Sequence, residues 1–209
     1  TMVTPLMMFA DVIPAINSKG GAQVLPEGKL KMGIKHTQFE RNSMFDGTNE
    51  VPNRENLDAT ANITVVGLHY GLSPNATIGV MIPYKNISAT AKLGTNDVAI
   101  DNKGLGDIVL VARQVLLPMG EYGFQLSLDG GLKLPTGATN GSFKKAPTIA
   151  NGVDTPMPTQ MGTGEFEYMI GLGVTKMVHE SWEVDAHLSY TYRPKAEHDY
   201  DFGNALSLD

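Results

Sequence analysis

Ionisable residues recur at every second position in the last part of the chain. Glu183, Asp185, His187 and Arg193 share one side of an extended segment with Ser189 and Thr191, and Glu165 with Glu167 repeats the pattern upstream. Asp129 and Lys133 do so again, with Gln125 in the same phase. Alternate residues of a strand point to one face. If the opposite face meets lipid, Gln125, Asp129, Lys133, Glu165, Glu167, Glu183, Asp185, His187 and Arg193 form a polar and mostly acidic lumen wall. Such a wall favours cations or positions water in a conduit. Alternatively, its charges pair across neighbouring strands.

Other chemistries find no footing, and no catalytic, cofactor-binding or metal-ligating residue is assigned. The chain has no cysteine, which removes thiol catalysis and disulfide scaffolds. No Gly-x-Ser-x-Gly elbow occurs. Gly104 with Gly106, and Gly162 with Gly164, are not followed by the helix a dinucleotide loop needs. Glu165 and Glu167 lie on one face, but nothing separates their environments as acid and base catalysis requires. His36, His69, His179, His187 and His198 are scattered without ligand spacing. Glu197, His198, Asp199 and Asp201 cluster in a loop that matches no calcium-binding pattern, and methionines such as Met157 and Met161 suit apolar packing.

The elements that carry these residues read as strands. Trp182, Val184, Ala186, Leu188, Tyr190 and Tyr192 alternate with the polar set of the same segment. Phe124, Leu126, Leu128, Leu132 and Leu134 alternate likewise, as do Phe166, Tyr168, Ile170, Leu172 and Val174. Leu30, Met32 and Ile34 begin the series, and Asn62–Leu72, Ala76–Ala91 and Asp107–Leu117 are rich in Val, Ile and Thr, which suit a pleated surface. Asp107–Leu117 is apolar on both faces, so its orientation is open. The count is about seven complete strands and the start of an eighth in Phe202–Asp209.

The connections alternate long and short. Glu40–Thr60, Gly94–Gly104 and Pro135–Gly162 are long, whereas Ser73–Asn75, Pro118–Glu121 and His179–Glu180 are short. Outer-membrane barrels sort their connections this way, with short periplasmic turns and long external loops. From Trp182 to Tyr192 the chain climbs roughly 25 Å at a tilt of about 40°, the height of a barrel's apolar band. Trp182 at one end and Tyr190 with Tyr192 at the other occupy the positions of aromatic girdles. A soluble sandwich also alternates, but the sorted loops, the aromatic ends and the glycines on the polar face of Glu165–Lys176 favour a membrane barrel.

Composition is compatible with that reading. Of 209 residues, 42% are hydrophobic and 18% charged, and no run of about 18 apolar residues could form a spanning helix. Barrels hide their hydrophobicity in alternate positions. A formal charge of −6 argues against a nucleic-acid partner. The whole chain, 1–209, reads as one β-barrel domain, with 1–25 as an amino-terminal extension and 26–209 carrying the strands.

The order Tyr70-Gly71-Leu72-Ser73, Ile82-Pro83-Tyr84, Gly104-Leu105-Gly106-Asp107, Leu134-Pro135-Thr136-Gly137 and Gly162-Thr163-Gly164 resembles the outer-membrane barrels of the MetA-pathway of phenol degradation family. The similarity runs from about Leu25 to the end. It implies an all-β, antiparallel up-and-down membrane barrel of the bacterial outer membrane that lets small, often hydrophobic molecules cross, with lipid and solute as partners, association between copies open, and no enzymatic role. Members of this family have about a dozen strands and an aromatic carboxy-terminus. This sequence instead reaches Asp209 in mid-strand, so the expectation is an incomplete copy of a barrel of about 12 strands, or an edge paired by something else. The alternative function is a surface-interaction protein assembling through an open edge or its long loops.

Overall fold

The computed structural model of the 209-residue chain describes residues 21–46, 48–120, 123–147, 153–179 and 182–209. Residues 1–20 of the expected extension, and Glu121 and Glu180 of the expected turns, lie outside the described residues. The strands are β1 (Leu30–Arg41), β2 (Met44–Asp46), β3 (Asn49–Val51), β4 (Asp58–Ser73), β5 (Ala76–Leu93), β6 (Asn96–Leu105), β7 (Val109–Leu117), β8 (Phe124–Lys133), β9 (Phe143–Lys145), β10 (Glu167–His179), β11 (Trp182–Tyr192) and β12 (Ala205–Leu208). Pairing is antiparallel throughout and follows the path β1-β4-β5-β7-β8-β10-β11-β12. The eight strands on that path correspond to the seven strands and the start of an eighth read from the sequence. Among the described residues no pairing joins β1 to β12, so the sheet is open.

Three further short or polar elements, β2 with β3, β6 and β9, escaped the alternation. β2 and β3 form a small hairpin inside the long polar stretch. β6 lies within the segment expected as a connection and pairs with β5 from Tyr84 to Leu93, while β9 adds to its far side. The physical reason is the length of β5. Its first part, Ala76 to Met81, is paired by β7, and the rest runs past the end of β7 and needs another partner for its backbone groups. There, exposed Lys145 donates to Asp97 at 3.0 Å and Lys144 to Asp101 at 2.9 Å, and these hydrogen bonds hold both carboxyls below their usual range.

One face of the sheet is apolar and exposed. Leu30, Met32 and Ile34 of β1, Leu128 of β8, Ile170, Leu172 and Val174 of β10, and Val184 and Leu188 of β11 all stand on it. Tyr168 and Tyr192, facing each other in register with ring centroids 6.5 Å apart, mark one border. Trp182, 70% exposed, marks the other. The opposite face is covered by the chain itself. On β4, β5 and β7 it carries Ile63, Val65, Met81, Val109 and Val111, packed with Phe39. On β8, β10 and β11 it carries the alternating polar set. The orientation of β7, open from sequence, is thereby fixed: Val109, Val111, Arg113 and Val115 point inward.

Candidate functional site

The site is this inner face and the two segments that lie on it. Near the short-turn rim, residues 21–25 cross five strands as a strap. Leu25 N donates to Thr77 Oγ1 of β5 at 2.8 Å, and Ala22 N donates to Thr175 Oγ1 of β10 at 2.8 Å. Arg113 of β7 donates to the carbonyls of Gly21 and Gln23, Gln125 of β8 donates to the Ala22 carbonyl at 2.8 Å, and Gln23 reaches Glu183 of β11 at 3.0 Å. The strap therefore hangs mainly from its own backbone groups.

The close approach needs glycine on both sides. A Cβ at Gly173 would stand 2.9 Å from the Gly21 carbonyl oxygen, and one at Gly21 would collide with the Asp185 carboxylate. Such crowding has no room for a methyl group. Of the glycines on the polar face of the sequence pattern, Gly173 thus admits the strap backbone and Gly171 makes room for the His187 ring.

Arg113 is the anchor. Its side chain is fully buried and forms a two-pronged pair with Asp129, Nε to Oδ1 at 2.7 Å and Nη2 to Oδ2 at 2.6 Å. His187 Nε2 donates to the same Oδ2 at 2.6 Å. A planar guanidinium suits this fork, which leaves its remaining donors for the strap.

A second knot binds the long connection at the other end. Asp107 accepts from Gly137 N at 2.9 Å and Thr163 N at 2.9 Å, and Lys133 Nζ lies 3.2 Å from it. Thr136 Oγ1 accepts from Ile108 N at 2.9 Å and donates to the Gly106 carbonyl at 3.2 Å. Gly106 N donates to Pro83 O at 2.8 Å. Lys133 also pairs with Glu167, which Arg193 contacts at 3.3 Å. The result is a loop folded inward. Met157, Thr159, Gln160, Met161 and Thr163 are all buried, with Asn102 of β6 donating to Thr155 Oγ1 at 2.8 Å and to Thr159 O at 3.0 Å. The motif residues Pro83, Gly106, Asp107, Thr136, Gly137, Gly162 and Thr163, distant in sequence, converge here.

The structure brings most of the sequence-derived wall together. Gln125, Asp129, Lys133, Glu167, Glu183, Asp185, His187 and Arg193 stand on the inner face, while Glu165 precedes β10 and is exposed. Sequence reasoning missed Arg113, Asp107 and Lys85. Arg113 carried a usable signal, being the one charge in the apolar run Ile108–Leu117. With Lys85 and Arg113 included, cations and carboxylates stand side by side on the inner face, Arg113 on Asp129 and Lys133 on Asp107 and Glu167. Among the described residues no group of three His, Asp or Glu side chains could hold a metal ion.

A family model described as "Putative MetA-pathway of phenol degradation" matches residues 16–209. The chain belongs to this family. Its fold resembles a solved outer membrane channel from Pseudomonas putida F1, with a TM-score of 0.56 and 19% identity over 83% of this chain. The chain spans 59% of that channel's length, and the likeness shows the fold alone. No curated protein matches.

Proposed function

We propose that this family member is a bacterial outer-membrane barrel serving as a passive channel or uptake conduit for small molecules, hydrophobic ones among them. The observation that carries the reading is the inverted sheet: a continuous exposed apolar face bordered by aromatics, and a polar and apolar inner face covered by the chain's own strap and loop. An apolar surface extending across the main strands is untenable in water but belongs in lipid. Solutes would move down their gradient along the inner face, with the 21–25 strap and the 137–163 loop as constrictions at opposite ends. The similar Pseudomonas putida protein is an outer membrane channel, which supports the localisation and the transport role.

Reconstitution of the full-length protein in planar bilayers tests this. Discrete conductance steps are expected, and a folded protein that neither conducts nor accelerates solute uptake sinks the proposal. Trp182 is the only tryptophan and faces outward. Its fluorescence in bilayers should therefore be quenched by lipids brominated near the headgroup, and emission that ignores bromine would place β11 outside the membrane.

A second reading is a surface-interaction protein that assembles with another chain through its long loops. Extraction separates the two. Protein that stays in detergent-free buffer as defined oligomers favours the interaction role.

A further inference from the structure

On one side of the sheet the strands run on beyond the apolar band. β5 continues from Tyr84 to Lys92, about 26 Å further at 3.3 Å per residue, with β4 and β1 paired on one side of it and β6 on the other. The inward residues of this extension, Ala59, Ala61, Ile87 and Ala89, pack with Met161. The outward residues are polar, and the register aligns them in two rows across four strands. Gln38, Asn62, Asn86 and Lys103 form one row; Glu40, Thr60, Ser88 and Asp101 form the next. Gln38, Asn86 and Ser88 are exposed, and Thr60 and Asn62 half-buried. Charges stand only at the row ends, where Glu40 accepts from Gln38 and Asp101 accepts from Lys144 at 2.9 Å. The four central groups, Thr60, Asn62, Asn86 and Ser88, are neutral, and each can both donate and accept. Among the described residues none of the four has a side-chain hydrogen bond.

This ladder is continuous with the lipid-facing surface of the same strands. Met32 and Ile34 of β1 and Ile78 and Tyr84 of β5 lie below it on the same face, and it extends away from the short turn Ser73–Asn75. The end of a barrel opposite its short turns faces the cell exterior. The ladder therefore stands immediately above the acyl chains of the outer leaflet, at the level of the headgroups. In a bacterial outer membrane those headgroups are the oligosaccharides of lipopolysaccharide. We infer that the ladder is a docking surface for the saccharide portion of this glycolipid, with sugar hydroxyls on the central amides and hydroxyls and the innermost ring over Tyr84, which is 47% exposed at the foot of the ladder. Neighbouring strands are about 4.8 Å apart, so hydroxyls of one sugar ring can reach groups on two strands at once. A protein partner would need apolar or arginine anchors at the centre of the patch, and the centre has neither. Capture of a phosphate would need free cations, whereas the rows present one, Lys103, at their edge. The inference rests on the outer-membrane placement and is independent of conduction.

Two lipopolysaccharides with the same acylated anchor, one carrying its whole core oligosaccharide and one trimmed to the innermost sugars, supply the test. Each is titrated into the full-length protein in detergent micelles. The whole-core form should bind at least about tenfold more tightly, the combined effect of a few neutral hydrogen bonds, and the preference should persist in high salt, which screens charges. Gln38→Ala, Asn86→Ala and Ser88→Ala together should reduce it to less than about twofold, with the unfolding midpoint unchanged because all three side chains are exposed. Equal binding of the two forms by the unaltered protein overturns the inference without needing any variant. A preference that survives the triple substitution, or one that vanishes in salt, overturns it too, the latter by pointing to phosphate capture through the lysines. The chain has no cysteine, so Ser88→Cys gives a single cross-linking site in proteoliposomes: copies joined through it, without any sugar preference, would put a second copy of the chain on this face instead. Trp182 quenching reports separately on membrane placement and bilayer conductance on the channel. A protein that discriminates the sugars yet never conducts keeps the ladder and loses the conduit, and one that conducts without discriminating does the reverse.

Discussion

Arg113→Met is expected to lower the unfolding free energy of the full-length protein by about 3–5 kcal/mol, the cost of leaving one member of a buried ion pair unpaired. Asp129 is almost completely buried, and in the variant only His187 would remain to satisfy it. The same substitution removes the donors that hold the Gly21 and Gln23 carbonyls. Conductance should therefore rise as the strap loosens. A companion variant separates the two effects: Arg113→Met with Asp129→Asn removes the orphaned charge, and much of the stability should return, yet the strap stays unanchored and conductance stays high. Denaturant unfolding in detergent micelles supplies the first quantity and single-channel recording the second. Stability unchanged within about 0.5 kcal/mol, a typical surface-mutation effect, would show that the fork is not what holds this end together.

Asp107→Ala should release the other end. Two backbone amides and the Lys133 ammonium converge on that carboxylate, and each charge-assisted contact is worth about 1.5–3 kcal/mol. Losing even one or two lowers the local opening free energy of the 137–163 loop by about 3 kcal/mol, which is on the order of a hundredfold in the population of the open loop. Protease added to proteoliposomes should then cut between residues 137 and 163 at a correspondingly higher rate, while the strands remain protected. Cleavage kinetics that match those of the unaltered protein would mean that the loop is held by its buried Met157 and Met161 rather than by Asp107.

Much of the sheet could be read from residue order because lipid imposes alternation. Trp182 through Tyr192 shows it without a break, and β8 and β10 nearly so. β6 could not be found, since Asn96, Asp97, Asp101, Asn102 and Lys103 interrupt its few apolar residues, Val98, Ala99, Ile100 and Leu105. It is a strand because β5 outruns β7, which is a property of register and not of composition. The wall residues were legible as a face, but their state was not. An acidic excess was expected because Arg113 sits in a strand apolar on both sides and Lys85 in one rich in Ile and Thr. Val109 and Val111 point inward because that surface meets Ile63, Met81 and Phe39. No periodicity in β7 alone could reveal this. The convergence on Asp107 was also hidden, because the participating motifs are separated by long stretches of sequence.

The strap is held chiefly through main-chain carbonyls and amides, and this separates how firmly it is tethered from how much it obstructs. Gln23 and Val24, which are only partly buried, could be exchanged with the main-chain anchorage kept, whereas Gly21 and the fully buried Ala22 leave no room for a larger side chain. The aperture is thus an adjustable fitting on a fixed bracket. Related chains could diversify what they admit by altering a few side chains here, while the framework residues Thr77, Arg113, Gln125 and Thr175 stay as they are.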